Sequence, residues 1–148
     1  MSKVAVLVVA YNAEKQLADV LRRIPKVSDD INIEVLVCDD ASSDSTSAVG
    51  RQFVEEFRRD DIKVVRHEVN LGYGGNQKFG YGWAIANNFD AIVLLHGDGQ
   101  YAPELIESFI RPIMDDKADV VLGSRMITKG SARAGGMPSY KFVGNKIL

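Results

Sequence analysis

Lys3-Val4-Ala5-Val6-Leu7-Val8-Val9 opens the chain after two residues, and all but the first of these side chains are apolar. A continuous run rich in β-branched valine is typical of a strand that is buried on both faces of a parallel sheet. Residues 33–38 form a second run of the same kind. The two runs predict buried strands at the centre of the fold.

Apolar residues at helical spacing alternate with runs of this type along the chain. The predicted strands span residues 3–9, 33–38, 62–65, 91–95 and 120–122; the predicted helices cover residues 17–24, 49–57, 83–88 and 103–113. The glycine-rich residues 72–82 are interpreted as a flexible lid or the start of a helix. This alternation predicts an α/β fold, a mostly parallel sheet flanked by helices, in a single domain over residues 1–148.

Composition excludes several classes of protein. The 148 residues carry a net charge of −2, which disfavours a generally basic nucleic-acid-binding protein. The single cysteine, Cys38, excludes an internal disulfide framework and a cysteine-based zinc cluster. No apolar run approaches the roughly 20 residues that cross a bilayer, and the amino terminus is interpreted as a strand rather than a signal peptide.

Charge is unevenly distributed along the chain. Residues 123–148 contain five basic residues and no acidic one, whereas the remainder has a net charge of −7. A basic segment facing an acidic body predicts a site for an anionic ligand. The alternative is a solvated tail with ordinary surface lysines.

Polar residues follow the predicted strands where each strand ends. In open parallel sheets, ligands bind at the carboxyl ends of the strands. Ala10, Tyr11 and Asn12 follow the first strand; Asp39 and Asp40 the second; His96, Asp98 and Gln100 the fourth; Arg125 the fifth.

The paired aspartates Asp39 and Asp40 are candidates for nucleotide recognition. A carboxylate accepts hydrogen bonds from a base N–H or from ribose hydroxyls. The alternative is that they cap the Ser/Asp/Thr-rich turn over residues 42–47.

The polar residues after the fourth and fifth strands suit a hard cation that also binds phosphate oxygens, and an anionic group. Asp98, between two glycines, and Gln100 offer the oxygen atoms that Mg²⁺ or Mn²⁺ prefers, and His96 as a third ligand favours Mn²⁺. Arg125 suits a phosphate or a carboxylate. The alternatives are a simple Gly-Asp-Gly turn, a hydrogen bond from His96 to a neighbour, and a salt bridge from Arg125.

Five motifs in this order resemble the family 2 glycosyltransferases, in particular the dolichol-phosphate mannose synthase and polyprenyl-phosphate glycosyltransferase group. They are VAYN at residues 9–12, VCDDASSDST at 37–46, NLG at 70–72, DGQYAPE at 98–104 and GSR at 123–125. The resemblance implies a GT-A fold that binds a nucleotide-diphosphate sugar linked to UDP or GDP.

The resemblance also implies individual roles. Ala10, Tyr11 and Asn12 lie beside the nucleotide together with Asp40, and Asp39 reads the base. Asp98 and Gln100 hold Mn²⁺ or Mg²⁺ on the diphosphate, with His96 as a further candidate ligand, and Arg125 offsets charge there. Asp98 is also the predicted catalytic residue.

Two positions depart from the family pattern. Ala13 stands where an acidic residue is common, and His96 stands where the polyprenyl group has aspartate. Residues 140–148 look like a helix that still needs a cover, so the chain is expected to be truncated at this end and prone to form a homo-oligomer.

The resemblance further implies inverting transfer to an acceptor, and a polyprenyl phosphate fits because its ionised phosphate needs no general base. Lys129, Arg133 and Lys141 suit that phosphate or the surface of an anionic membrane. The expected location is cytoplasmic, at the inner face of the membrane.

Three alternatives remain open at the level of sequence. A nucleotidyltransferase needs a basic glycine-rich loop after the first strand, which residues 10–13 lack. A phosphoacceptor receiver domain needs an aspartate after the third strand and a lysine after the fifth, and this chain has neither. The third is a chain that binds a nucleotide sugar without turning it over.

Overall fold

The computed structural model describes residues 1–124 and residue 139, and its elements alternate as predicted. They are β1 (Ser2–Ala10), α1 (Leu17–Arg23), β2 (Ile31–Asp39), α2 (Thr46–Phe57), β3 (Ile62–Arg66), α3 (Gly72–Ala86), β4 (Ala91–His96), a 3-10 turn (Pro103–Leu105) and α4 (Ile106–Met114). None of the helices in this part of the chain has the length and apolar character to cross a bilayer.

The four strands form one parallel sheet in the order β3-β2-β1-β4. The α/β prediction is therefore confirmed. Because the chain runs outward from β1 through β2 to β3 and then returns to the other side of β1, the order reverses between β1 and β4. The receiver alternative does not fit, since receiver domains follow the order 2-1-3-4-5 and pair the first strand with the third.

The sheet is buried on both faces, as its valine-rich sequence predicts. Alternate residues of β1, such as Val4 and Val6, face a large core that α1, α2 and α4 cover. The intervening residues Ala5 and Leu7 face a smaller cluster that includes Ala84 of α3. The central strand β1 therefore has almost no exposed apolar surface between Val4 and Ala10.

Of the two interpretations of the glycine-rich residues 72–82, the start of a helix is confirmed and the flexible lid is not, but the helix begins earlier than predicted. These residues are helical, and α3 spans Gly72–Ala86 rather than residues 83–88. Each glycine disfavours a helix by about 1 kcal/mol, but packing against the sheet overrides this preference. A Cβ atom on Gly80 would lie 2.9 Å from Cδ1 of Leu7, so the absence of a side chain lets α3 sit close to β1.

The predicted fifth strand over residues 120–122 was wrong: these residues form no regular element. Val120 is 71% exposed and Leu122 is 83% exposed. A strand is stabilised when every second side chain packs on a core. Val120 and Leu122, which would lie on the same face of such a strand, do not pack in this way.

The close packing at Gly80 gives a stability prediction. Gly80→Ala forces a methyl group against the buried Leu7 side chain, whereas Gly82→Ala in the same helix meets open space. Ala is the better helix former at both sites, so Gly82→Ala should stabilise by up to about 1 kcal/mol. Overpacking should make Gly80→Ala less stable than Gly82→Ala by about 1–3 kcal/mol. Urea unfolding measures both, and equal stabilities would show that Gly80 is not a packing residue.

Candidate active site

The site lies where the four strands end together. In the sheet register, Asp39 of β2 pairs with Ala10 of β1 on one side and with Arg66 of β3 on the other. Beyond the end of β4, the N–H of Gly97 donates to the carbonyl of Val9 at 2.9 Å. Since all strands are parallel, the residues that follow them share one edge of the sheet. This edge includes the point between β1 and β4 where ligands bind in sheets of this type.

Asp39 is the most unusual side chain at this edge because it is a carboxylate with 0% exposure. Its Oδ1 accepts two hydrogen bonds from Ser42, one from the backbone N–H at 3.1 Å and one from the hydroxyl. Its Oδ2 is buried and accepts no hydrogen bond. The nearest ion-pair contact of Oδ2 is with Nε of Arg66 at 3.6 Å. Asp39 therefore combines the capping role with one uncommitted oxygen.

The loop after β1 is fastened to the loop after β2. The N–H of Asn12 donates to the Ser42 hydroxyl at 2.9 Å, and Oδ1 of Asn12 accepts from the N–H of Ser43 at 2.9 Å. Asn12 has a φ of 50°, a left-handed conformation that asparagine tolerates better than most residues. Its side chain thus holds the two loops in register instead of pointing freely to solvent.

Asp44 strengthens the same junction at the start of α2. Its carboxylate accepts the N–H of Thr46 at 2.9 Å and the N–H of Glu14 at 3.1 Å. Burial acts to raise the pKa of Asp44, but the hydrogen bonds from Thr46 and Glu14 outweigh it and lower that pKa. Asp44 therefore remains an acceptor at neutral pH.

Ala10 and Tyr11 contribute surface rather than charge. A Cβ atom on Gly97 would lie 3.0 Å from Cβ of Ala10, so these two small residues let β4 and β1 end close together. The ring of Tyr11 is 56% exposed beside them. An exposed aromatic face at this position is suited to stacking on a planar ligand.

Asp40 is turned toward helix α3. Its Oδ1 accepts the N–H of Leu71 at 2.7 Å, and its carbonyl accepts the side-chain amide of Asn70 at 3.0 Å. These contacts fasten the first turn of α3 to the end of β2. A direct contact between Asp40 and the nucleotide remains a prediction.

A network of hydrogen bonds connects the backbone of Asp39 to helix α3. The N–H of His67 donates to the Asp39 carbonyl at 2.9 Å, and Nε2 of His67 lies 3.0 Å from Oδ1 of Asn76 in α3. The Asn76 amide in turn donates to the carbonyl of Cys38 at 2.9 Å. Burial raises the pKa of the Cys38 thiol to about 12, so this cysteine is not a nucleophile at neutral pH.

His96 at the end of β4 is packed between two tyrosines. Its Nε2 shares a hydrogen bond with the Tyr73 hydroxyl at 2.9 Å, and its ring centroid lies 4.7 Å from that of Tyr101. Partial burial raises the pKa of Tyr73, and Tyr101 adds to this effect, so the hydroxyl remains protonated. The hydrogen bond expected as the alternative for His96 is thus present. Its role as a metal ligand remains a prediction.

Asp98 and Gln100 present oxygen atoms to solvent at the same edge. Oδ1 of Asp98 accepts the N–H of Gln100 at 3.0 Å, and Gly99 between them has a φ of 75°. Both side chains are exposed. Among residues 1–124 and 139, no group of three or more His, Cys, Asp or Glu side chains could hold a metal. One carboxylate and one amide fit a divalent cation whose other ligands are phosphates and water.

Two predicted features lie outside the described residues. Arg125 is the first of these, and the basic residues Lys129, Arg133, Lys141 and Lys146 are the second. The structure therefore does not test whether either of them belongs to the site.

Sequence reasoning missed Arg66, Tyr73 and Tyr101 as members of this edge. The third strand was predicted to stop at Val65, one residue early, and Arg66, which follows it, was given no role at the site. Tyr73 was given no role because its glycine-rich stretch was interpreted as a flexible lid or the start of a helix, and in the helix its hydroxyl reaches His96.

A groove of about 590 Å³ has Ser42 and Arg66, the two residues that contact the Asp39 carboxylate, in its lining. It is lined by Ser42, Ser43, Asp44, Ser45, Ser47, Ala48, Arg51 and Arg66. A second groove, of about 620 Å³, lies at the opposite end of the sheet near Ser2 and Asp90. The groove beside Asp39 is the relevant one, since it adjoins the carboxyl ends of the strands.

Comparison with known proteins places the chain in a family. The model of the family described as glycosyl transferase family 2 matches residues 5–145. A UDP-N-acetylglucosamine–dolichyl-phosphate N-acetylglucosaminyltransferase from Methanococcus voltae is 30% identical over 149 residues, which cover 94% of this chain and 57% of that protein. The chain spans about half the length of the curated relatives it matches.

Two solved structures share the fold. TarS from S. aureus, in complex with UDP-GlcNAc, has a TM-score of 0.55 and 24% identity over 75% of this chain and 31% of that one. The mannosyltransferase PcManGT from Pyrobaculum calidifontis, in complex with GDP-Man and Mn²⁺, has a TM-score of 0.52 and 24% identity over 64% of this chain and 27% of that one. The sheet is thus that of a GT-A glycosyltransferase. The family model matches nearly the whole length of this chain, which therefore belongs to glycosyl transferase family 2.

Proposed function

We propose that this chain is the nucleotide-sugar-binding part of a glycosyltransferase that moves a sugar from a UDP- or GDP-linked donor to a polyprenyl phosphate. The observation that carries the proposal is Oδ2 of Asp39, which is buried at the carboxyl edge of the sheet and accepts no hydrogen bond. A buried acceptor without a partner costs roughly 1–3 kcal/mol, and a ligand N–H removes that cost.

Asp39 is the proposed base receptor. Uracil offers N3–H and guanine offers N1–H, and either donor complements a carboxylate oxygen. The exposed ring of Tyr11 lies near the end of the neighbouring strand and provides an aromatic face for the base. The two similar structures support a nucleotide-sugar ligand, since one holds UDP-GlcNAc and the other GDP-Man.

Asp98 and Gln100 are the proposed ligands of a divalent cation on the diphosphate, and His96 joins them if its bond to Tyr73 is exchanged for a metal bond. When bound, such a cation stabilises negative charge on the departing diphosphate. The similar PcManGT structure holds Mn²⁺, which supports this choice of cofactor. The exposed, hydrogen-bonded turn at Gly99 leaves one carboxylate oxygen of Asp98 uncommitted within the described residues.

The proposed reaction is a displacement with inversion at the anomeric carbon. A phosphate oxygen of the acceptor forms the new bond to that carbon as the bond from the carbon to the donor's diphosphate oxygen breaks. The acceptor phosphate has a second pKa of about 6, so it is mostly ionised at neutral pH and needs no general base. The dolichyl-phosphate acceptor in the name of the Methanococcus relative supports this class of acceptor.

The place of the reaction is proposed as the cytoplasmic face of a membrane. A polyprenyl chain is confined to the bilayer, whereas a nucleotide sugar is water-soluble, so the two substrates meet at the surface. The basic residues 123–148 are suited to an anionic surface or to the acceptor phosphate.

Asp39→Asn tests the base receptor. Asn keeps an oxygen for both hydrogen bonds from Ser42 but presents an amide donor in place of Oδ2, so it opposes the base N–H. Affinity for UDP or GDP should fall about 10- to 100-fold, as expected for a hydrogen bond to a charged group. Calorimetric titration measures it. Glu34→Gln, which removes the same charge from the same strand away from the edge, is the matched control. Equal affinity in both variants would contradict the role of Asp39.

Asp98→Ala tests the cation site. Because the chain itself supplies few ligands, Mn²⁺ alone should bind weakly, and Mn²⁺ should strengthen UDP or GDP binding at least about tenfold in the unmodified chain. That enhancement should vanish in Asp98→Ala and persist in Asp119→Ala, a control at the opposite groove. Titrations with Mn²⁺ and with EDTA distinguish these results, and full enhancement in Asp98→Ala would rule out the proposed ligand.

A further inference from the structure

His96, the last residue of β4, lies on the face of the sheet that α3 covers. Side chains alternate between the two faces of a strand, and Ile92 and Leu94 pack in the smaller cluster on the α3 side. The hydroxyl of Tyr73, in the first turn of α3, shares a hydrogen bond of 2.9 Å with Nε2 of His96. The imidazole is therefore part of the contact between β4 and α3.

Two aromatic rings hold that imidazole in one orientation. The ring of Tyr73 meets it edge-to-face at 5.2 Å and 70°, and the ring of Tyr101 meets it in the same way at 4.7 Å and 79°. Rotation of the imidazole would break both ring contacts and the hydrogen bond. In that bond, Nε2 either accepts the proton of the hydroxyl or carries a proton itself, so in both cases its lone pair is not free for a cation.

The turn that carries Asp98 leaves the sheet on the opposite side. A Cβ atom on Gly99, the next residue, would lie 3.7 Å from Cγ2 of Val20. Val20 belongs to α1 and to the larger core, which occupies the face of the sheet opposite α3. The turn over residues 97–100 therefore approaches α1, whereas the imidazole of His96 contacts α3.

We propose that Tyr73 is a positioning residue that keeps His96 out of the cation site, so that Asp98 and Gln100 bind the cation of the diphosphate without an imidazole ligand. A cation at Nε2 would have to break the hydrogen bond to Tyr73 and turn the ring away from Tyr101. Oxygen ligands suit Mg²⁺ as well as Mn²⁺, whereas an imidazole favours the transition metal. This inference rests on the proposed function, because it concerns the ligands of the same cation.

Tyr73 would have the opposite effect if it oriented His96 as a ligand. A histidine that binds a metal through one ring nitrogen commonly makes a hydrogen bond through the other. In that arrangement a ring nitrogen contacts the cation in the unmodified chain, and loss of the Tyr73 hydroxyl weakens cation binding. The two roles therefore predict changes of opposite sign.

Electron paramagnetic resonance of Mn²⁺ bound to the full chain, with UDP and separately with GDP, tests the inference. Spin-echo modulation should show no histidine nitrogen coupled to Mn²⁺ in the unmodified chain. Tyr73→Phe keeps the ring but removes the hydroxyl, so a coupled histidine nitrogen should appear. Mn²⁺ should then bind about 3- to 10-fold more tightly, as expected when one competing hydrogen bond is lost. Affinity for Mg²⁺, which prefers oxygen ligands, should change by less than about twofold.

Two further variants assign the nitrogen signal. Tyr101→Phe keeps the edge-to-face contact with the imidazole and should give the spectrum of the unmodified chain. His96→Ala in the Tyr73→Phe background should remove both the nitrogen signal and the gain in affinity. The other histidine of the chain, His67, is still present in that double variant, so the loss identifies His96 as the source.

The spectrum of the unmodified chain decides even if Tyr73→Phe does not fold. A histidine nitrogen coupled to Mn²⁺ in that chain would overturn the role of Tyr73 and leave the cation site and the proposed function standing. Weaker Mn²⁺ binding by Tyr73→Phe, or an unchanged spectrum and affinity, would overturn it in the same way. Failure of Mn²⁺ to bind with either nucleotide would overturn the proposed cation site and this inference together.

Discussion

The carboxyl edge of the sheet is organised around a carboxylate that has no exposed surface. Only one of its two oxygen atoms accepts hydrogen bonds. Asp39 gives Oδ1 to Ser42 and leaves Oδ2 without a hydrogen bond. Burial of an ionised group in this state is unfavourable, so the surrounding structure must hold it in place. A ligand N–H placed at Oδ2 would supply the missing hydrogen bond. Binding at this position is therefore expected to favour ligands that carry such a donor.

The rest of the edge fixes that carboxylate from three sides. Asn12 and Ser42 fasten the loop after β1 to the turn that holds Oδ1. His67 and Asn76 connect the end of β2 to helix α3 beneath it. The parallel register then sets the ends of β1 and β4 beside this unit, so that the proposed base and diphosphate sites lie at neighbouring strand ends.

Much of this architecture was predictable because it depends on local pattern. The valine-rich runs marked the buried strands, and the reading of polar residues at strand ends found Asp39 and Asp98. The helix at residues 72–86 was not predictable from propensity, since its glycines disfavour a helix and the close contact of Gly80 with Leu7 is made across the fold. Arg66 was missed because its position beside Asp39 depends on sheet order, which the sequence does not reveal.

Nuclear magnetic resonance mapping of the amide signals during titration with UDP and GDP in the presence of Mg²⁺ tests the central claim most directly. The account predicts shifts that concentrate at the carboxyl edge of the sheet, at residues 11–12, 39–43, 66–67 and 97–100. Shifts that concentrate instead at the opposite groove near Ser2 and Asp90 would contradict it, as would the absence of shifts with either nucleotide.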